Sequence, residues 1–203
     1  GLMLSAWLSD VRDYVHQGGL VMYPLILCTL TLWYAIGFRF YVLKRGNRRS
    51  VRVLVDRYRK GYDRAPSGII DSAVVDGLSA LASRPYNSRK TLDDIFSGYY
   101  AEAGKFQLLI HALVLVAPLL GLLGTVSGMI EMFDGLADGA LYSQSGGIAG
   151  GIAEALLTTQ MGLSIAVPGL IIGRALDRRQ GMIEVELDQI KDLLCTPLKE
   201  QEP

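Results

Sequence analysis

Two glycine-rich apolar stretches dominate the second half of the sequence: APLLGLLGTVSGMIEMF at 117–133 and GGIAGGIAEALLTTQMGLSIAVPGLIIG at 146–173. Each belongs to an apolar run longer than the about 20 residues that a helix needs to cross a ~30 Å hydrocarbon core. A third run, VMYPLILCTLTLWYAIGFRFYVL, precedes them at 21–43. None of the three has the amphipathic stripe of a soluble helix. The sequence therefore predicts three transmembrane helices, at 20–43, 107–133 and 148–173.

The overall composition does not by itself indicate a membrane protein, because a soluble domain is also about half apolar. Half of the 203 residues are hydrophobic, and 20 basic residues balance 20 acidic ones. A net charge of zero gives no indication of a nucleic-acid partner. The two cysteines, Cys28 and Cys195, are too few and too far apart for a disulfide framework or a metal cluster. We expect no cofactor and no metal ion.

The basic residues that flank the spans predict the topology. Nine lysines and arginines lie between 44 and 64 and three between 174 and 179, whereas 134–147 has none and 1–19 has only Arg12. The positive-inside rule then places 1–19 and 134–147 outside the cytoplasm, and 44–106 and 174–203 inside it. Segment 1–19 also lacks the basic and apolar regions of a signal peptide. Within the first span, we expect Arg39 to reach the nearby interface by snorkelling.

Both cytoplasmic segments have helical patterns. SVRVLVDRYRK at 50–60 is amphipathic, and TLDDIFSGYYAEAGKF at 91–106 can lead into the second span without a loop signal. After the third span, apolar and charged residues alternate, which indicates an extension of that helix. The predicted fold is an all-α membrane protein: three transmembrane helices with long cytoplasmic helical extensions.

Small residues recur every three or four positions in the second and third spans, and they predict close helix packing. Tight packing alone would account for any one of them. Two prolines within the spans would leave backbone carbonyls for neighbouring helices to satisfy. GGIAGG at 146–151 lacks the Lys-Ser/Thr of a phosphate loop, so that interpretation is excluded. The predicted packing residues are Gly121, Gly124, Gly128, Gly151, Gly162, Pro118 and Pro168.

The polar residues of the same spans are the candidates for a proton pathway. Glu154 is a carboxyl group within a membrane helix, which by default indicates function, although a structural hydrogen bond to a neighbouring subunit is the alternative. A membrane threonine often bonds its own helix backbone, but threonines on opposed small faces could line a polar path. Thr125, Thr159 and Thr158 are therefore candidates together with Glu154. His111 is interpreted as an interfacial or packing residue.

The run APLLGLLGTVSGMI followed by GIAEALLTTQMGLSIAVPGLI closely resembles the paired motifs of the MotA/TolQ/ExbB proton-channel family. The GLLGTVxGM form and the three spans look most like ExbB, then TolQ. In this resemblance Thr125 matches the pore threonine of GTV, and Glu154 and Thr159 match the glutamate and threonine of the second motif. The chain departs from the usual pattern at Phe38-Arg39, Thr158 and His111.

The resemblance implies a bacterial inner-membrane protein that acts in a proton-driven motor and has no enzymatic activity. Five copies would form a ring around single-span partner helices of the ExbD/TolR type, which supply a protonatable aspartate. The proton motive force would then drive work on a TonB- or TolA-like protein, for outer-membrane transport or envelope maintenance. Membrane lipid would surround the ring.

Two other classes of function are alternatives to a proton channel. A structural scaffold would use the small-residue faces only to assemble helices, without proton conduction. An intramembrane enzyme would need a nucleophile and a base close together. His111 and Glu154 lie toward opposite membrane faces, about 20 Å or more apart by helical rise, which argues against an enzyme.

Overall fold

The computed structural model describes residues 12–44, 46, 50–60, 66, 68–83, 88–137 and 147–195. These residues form α-helices joined by short connections, and they include no β-strand. The helices are α1 (Met22–Val42), α2 (Val51–Arg59), α3 (Ile69–Ser83), α4 (Ser88–Gly104), α5 (Gln107–Ala137) and α6 (Gly147–Cys195).

Three helical segments, which contain α1, α5 and α6, are long and apolar enough to cross a membrane. The prediction of an all-α protein with three membrane-crossing helices is confirmed. Helix α6 has 49 residues, more than twice the about 20 that span a hydrocarbon core, so much of it lies outside the bilayer. Residues 138–146 of the predicted loop, and the chain ends at 1–11 and 196–203, lie outside the described residues.

The chain divides into two compact units, the first formed by described residues of 1–36 and 108–173. In this unit α1, α5 and α6 meet at Gly169, where an added Cβ would lie 2.9 Å from both a Leu32 and a Val114 methyl carbon. The exposed faces of α5 and α6 are apolar too. Leu119 on α5 and Leu156 and Ile171 on α6 are each more than 60% exposed. Such a surface fits lipid or further protein chains, not water.

The second unit comprises described residues of 37–107 and 174–203. Here α2, α3 and α4 pack with the second part of α6, and each helix buries residues spaced three or four apart. Polar pairs join the helices at the edges of this core: the Tyr100 hydroxyl donates to Asp188 at 2.6 Å, and Lys191 contacts Asp93 at 2.9 Å. The buried residues include Leu54, Val55, Ile70, Val74, Leu92, Phe96, Leu187 and Ile190.

Helices α4 and α5 are separated by a short break at residues 105–106, in a segment whose sequence contains no loop signal. Phe106 has a φ of 63°, a left-handed conformation that a non-glycine residue adopts at a cost of about 1 kcal/mol or more. Its ring packs edge-on against Phe38 with centroids 5.1 Å apart, and the Lys105 ammonium lies 5.1 Å from the Phe38 centroid. These ring contacts offset the backbone strain, and nothing in the local sequence predicts them.

The prediction that Arg39 reaches the interface by snorkelling is wrong, because only 1% of the residue is exposed. Its guanidinium donates to Asp177 at 3.0 Å and to the side-chain oxygen of Gln180, and Gln180 in turn donates to Glu184 at 2.7 Å. A carboxylate and an amide on α6 thus replace water around the charge, which makes burial tolerable. This network ties the end of α1 to α6 within the second unit.

Candidate functional site

The candidate site lies where α5 and α6 pack with their backbones in near contact. An added Cβ at Gly121 would lie 3.0 Å from the carbonyl oxygen of Thr158, and one at Gly162 would lie 2.7 Å from the carbonyl oxygen of Ala117. Neither position has room for a side chain, because the obstacle is backbone and cannot move aside. The small residues therefore set the distance between the two helices.

The same close packing continues toward the Gly147 end of α6. Gly124 faces the Thr158 side chain, and Gly128 faces the carbonyl of Gly151 and the backbone of Ala155. The Gly124–Gly128 pair thus receives α6 as a GxxxG motif does. Gly151 in turn lies against the α5 backbone, with Met132 N 2.9 Å from its added Cβ.

The three candidate threonines occupy different environments. The Thr159 hydroxyl lies 3.2 Å from the Gly121 carbonyl of α5 and 3.2 Å from the Ala155 carbonyl of its own helix, and can donate to either. Thr158 is fully buried against α5 and donates to the Glu154 carbonyl at 2.8 Å. Thr125 is partly exposed and donates to the Leu122 carbonyl at 2.6 Å. Only Thr159 bridges the two helices.

Glu154 is buried at the Gly147 end of the contact, about 10 Å along α6 from its first residue. Only 3% of the residue is exposed, although it is ionisable. Two α5 side chains, Ser127 and Glu131, neighbour its carboxyl group, and its Oε1 is buried without a hydrogen-bond partner. Glu154 and Glu131 thus form a carboxyl pair between α5 and α6.

A tight turn before α1 covers the Glu154 carboxyl group. Gly19 has a φ of 63°, and a Cβ added there would collide with the Glu154 carboxyl group. The turn is held by a bond from the Gly18 amide to the Tyr14 carbonyl at 3.2 Å. Gly19 and Glu131 were not among the sequence candidates. Glu131 could have been predicted from the sequence as a second carboxyl group within the spans. The contact of Gly19 with Glu154 could not, because nothing in the sequence around Gly19 indicates it.

Both predicted prolines lie inside membrane helices, Pro118 in α5 and Pro168 in α6. Each is partly buried, as is His111 in the first turns of α5. None of them lies among the contacts that surround Glu154. Within the described residues, no group of three His, Cys, Asp or Glu side chains could hold a metal ion.

Comparison with known proteins identifies the family of this chain. Residues 66–189 match the model of the MotA/TolQ/ExbB proton channel family. The putative biopolymer transport protein ExbB-like 3 of Synechocystis is 30% identical over 190 residues, which cover 86% of this chain and 90% of the relative. The biopolymer transport protein exbB1 of Vibrio cholerae is 34% identical over 201 residues, 90% of this chain and 88% of that protein.

A shorter match connects the chain to the Tol branch of the family. The Tol-Pal system protein TolQ of Haemophilus influenzae is 37% identical over 86 residues, 42% of this chain and 37% of that protein. The family that matches residues 66–189 is described as a proton channel family. The chain therefore belongs to the MotA/TolQ/ExbB proton channel family, as a multi-pass protein of the inner membrane.

Proposed function

We propose that this chain is the channel subunit of a proton-driven motor, in which five copies form a ring around a pair of single-span partner helices of the ExbD or TolR type. The partner supplies an intramembrane aspartate, and the motor does work on a TonB- or TolA-like protein. The observation that carries the proposal is the buried carboxyl group of Glu154, 3% exposed within a membrane helix and adjoining a second carboxyl group on α5. Such groups are expensive in a bilayer and are retained for function.

The threonines suit the handling of a partner's proton. Thr125 and Thr159 use their hydroxyl hydrogens on backbone carbonyls, so each oxygen presents its lone pairs. A lone pair accepts a hydrogen bond from a protonated carboxyl group but repels a carboxylate. The partner's aspartate would therefore rest beside these hydroxyls when protonated and leave when it ionises. Each charge that crosses the full membrane releases ~2.3 kcal/mol per 100 mV.

The apolar surface of the membrane helices supports assembly into a ring. On α5, large side chains such as Leu115, Leu122 and Ile130 are between 56% and 70% exposed, beside the polar Thr125. Copies that pack through α5 and α6 would cover part of this surface and enclose the threonines. Helix α1, with exposed Trp33 and Tyr34, would then face lipid.

The proposed orientation places the basic flanks in the cytoplasm. Residues 1–19 and 134–147 are then periplasmic, and 44–106 and 174–203 are cytoplasmic, with the spans at 20–43, 107–133 and 148–173. The carboxyl pair lies near the periplasmic mouth in this orientation. Protons would reach it first as they move down their gradient.

The test is energy-dependent uptake in cells that express the chain with its single-span partner. Glu154→Gln and Thr159→Val should each reduce uptake at least about 10-fold, because one removes the proton carrier and the other the bridging hydroxyl. The matched controls are Glu102→Gln, an exposed glutamate on α4, and Thr31→Val, whose hydroxyl bonds only the Leu27 carbonyl of its own helix at 2.8 Å. Both controls should retain full uptake.

The alternative function is that of a scaffold whose small-residue faces only assemble helices. It predicts that uptake is undiminished in Glu154→Gln and Thr159→Val, and that a proton uncoupler has no effect. That result would overturn the proposal. Loss of uptake in the two control variants as well would also contradict it, since the effect would then be general.

A further inference from the structure

A groove in the second unit lies between the end of α1 and the middle of α6. It has a volume of about 860 Å³, within the range of small-molecule sites. Phe40, Tyr41 and Met182 supply much of its apolar wall, and they are 59%, 79% and 61% exposed. Exposed aromatic and thioether groups of this size, side by side at the end of a membrane helix, indicate an occupant that is itself apolar in part.

The floor of the groove is open at Gly37. An added Cβ there would meet nothing within 4 Å, in contrast to the glycines of the α5–α6 contact. Gly37 and Tyr41 lie four residues apart on α1, so they share one face of the helix. Lys44 follows two residues after the end of α1 at Val42 and also lines the groove.

Two cations stand at the polar end of the groove. Lys44 is exposed, and the Arg179 guanidinium carbon lies 5.2 Å from the centroid of the Phe40 ring. The aromatic contact holds Arg179 at the groove while its N–H donors remain oriented for an oxyanion. Arg174 and Arg178 are exposed on the preceding turns of α6. The lining also includes one acidic side chain, Glu186, so the cations exceed the acidic group.

We infer that this groove binds an anionic phospholipid, such as phosphatidylglycerol, from the membrane leaflet at the basic end of the spans. The phosphate would lie between Lys44 and Arg179, and an acyl chain would run along Gly37 and Phe40 toward the bilayer centre. A basic pocket between helices at the membrane surface is the kind of site that holds such headgroups. The bound lipid would connect α1 to α6 beside the Arg39–Asp177 pair.

Charge and position favour a lipid over the other occupants. A soluble anion would leave the aromatic wall exposed to water, and an apolar peptide would leave the two cations without an anionic partner. A phospholipid uses both, and the membrane supplies it at high local concentration. A second copy of this chain is the remaining alternative, and the experiment distinguishes it.

The experiment is native mass spectrometry of the purified full-length chain, released from nanodiscs that contain equal amounts of phosphatidylglycerol and phosphatidylcholine. The wild type should retain phosphatidylglycerol in preference. Each cation near an anionic lipid contributes roughly five-fold in binding, so Lys44→Gln with Arg179→Gln should lower retention about 30-fold. Arg52→Gln removes one charge from an exposed site on α2 outside the groove and should leave retention unchanged.

A second variant tests the apolar part without changing charge. Gly37→Phe should fill the groove and lower the retention of both lipids, whereas Gly98→Phe, at an equally open helical glycine on α4, should not. Equal retention of the two lipids by the wild type would overturn the inference, as would unchanged phosphatidylglycerol retention in Lys44→Gln/Arg179→Gln. If Gly37→Phe instead dissociates the oligomer and leaves lipid retention intact, the groove seats a second copy and the lipid site is refuted.

Discussion

Removal of the Arg39 guanidinium should destabilise the protein strongly, since this charge is buried with its partners. Arg39 is 1% exposed, and the side chain of Asp177 is 21% exposed. Breaking a buried ion pair by deleting one member costs about 3–5 kcal/mol, because the other charge remains without compensation. Asp177 keeps some access to water, so Arg39→Met should cost about 3 kcal/mol. For a chain of this size that corresponds to a decrease in Tm of roughly 6–12 °C.

Thermal unfolding of the full-length protein in detergent, followed by circular dichroism, measures this effect. The matched control is Lys191→Met, which breaks the Lys191–Asp93 pair, whose side chains are 25% and 51% exposed. An exposed pair of this kind contributes at most about 1 kcal/mol, so Tm should change by no more than about 4 °C. The double variant Arg39→Met/Asp177→Leu should recover at least half of the loss, because no charge is left buried alone.

Two outcomes would exclude a stabilising role for the Arg39–Asp177 pair. If Arg39→Met lowers Tm no more than Lys191→Met does, the buried Arg39–Asp177 pair stabilises the protein no more than the exposed Lys191–Asp93 pair. If the double variant is less stable than Arg39→Met by the full cost of a second deletion, the two side chains act independently and the network does not couple α1 to α6.

Three further predictions concern other parts of the chain. Gly124→Leu should lower Tm by several degrees because the new side chain collides with Thr158, whereas Gly98→Leu, where an added Cβ meets no atom, should change it little; equal effects would contradict the α5–α6 packing. Gly19→Ala should cost about 1 kcal/mol or more in unfolding free energy, since its φ is 63° and its Cβ would meet Glu154, and a neutral result in denaturant unfolding would disprove the turn. Burial and the hydrogen bond to Asp188 raise the pKa of Tyr100 in α4, so the unfolding free energy should fall as pH rises above about 10, and Tyr100→Phe should weaken that fall.

The membrane helices could be predicted from the sequence because their signal is local. The length of each apolar run is enough to identify a span, and the spacing of Gly121, Gly124 and Gly128 indicates a close-packing face before any partner helix is known. Glu154 is likewise conspicuous by itself, as a carboxyl group within an apolar segment. These features depend on the chemistry of one segment and the thickness of a bilayer.

The remaining features depend on residues that are distant in sequence. Arg39 is separated from Asp177 by 138 positions, so its burial could not be inferred from the end of the first span. Gly19 approaches Glu154 only after α1 and α6 have packed. Phe106 adopts its strained φ because Phe38 offers a ring to pack against. In each case tertiary contacts override the local expectation.

In the proposed channel, protons pass along α5 and α6 through Glu154 and Thr159. Proton flux can be measured in liposomes that contain the purified chain with its single-span partner, with an internal pH dye under an imposed membrane potential. The wild type and Thr31→Val should take up protons, whereas Glu154→Gln and Thr159→Val should each lose at least about 10-fold of this flux. Equal flux in all four proteins, or no flux in the wild type with its partner present, would contradict this pathway.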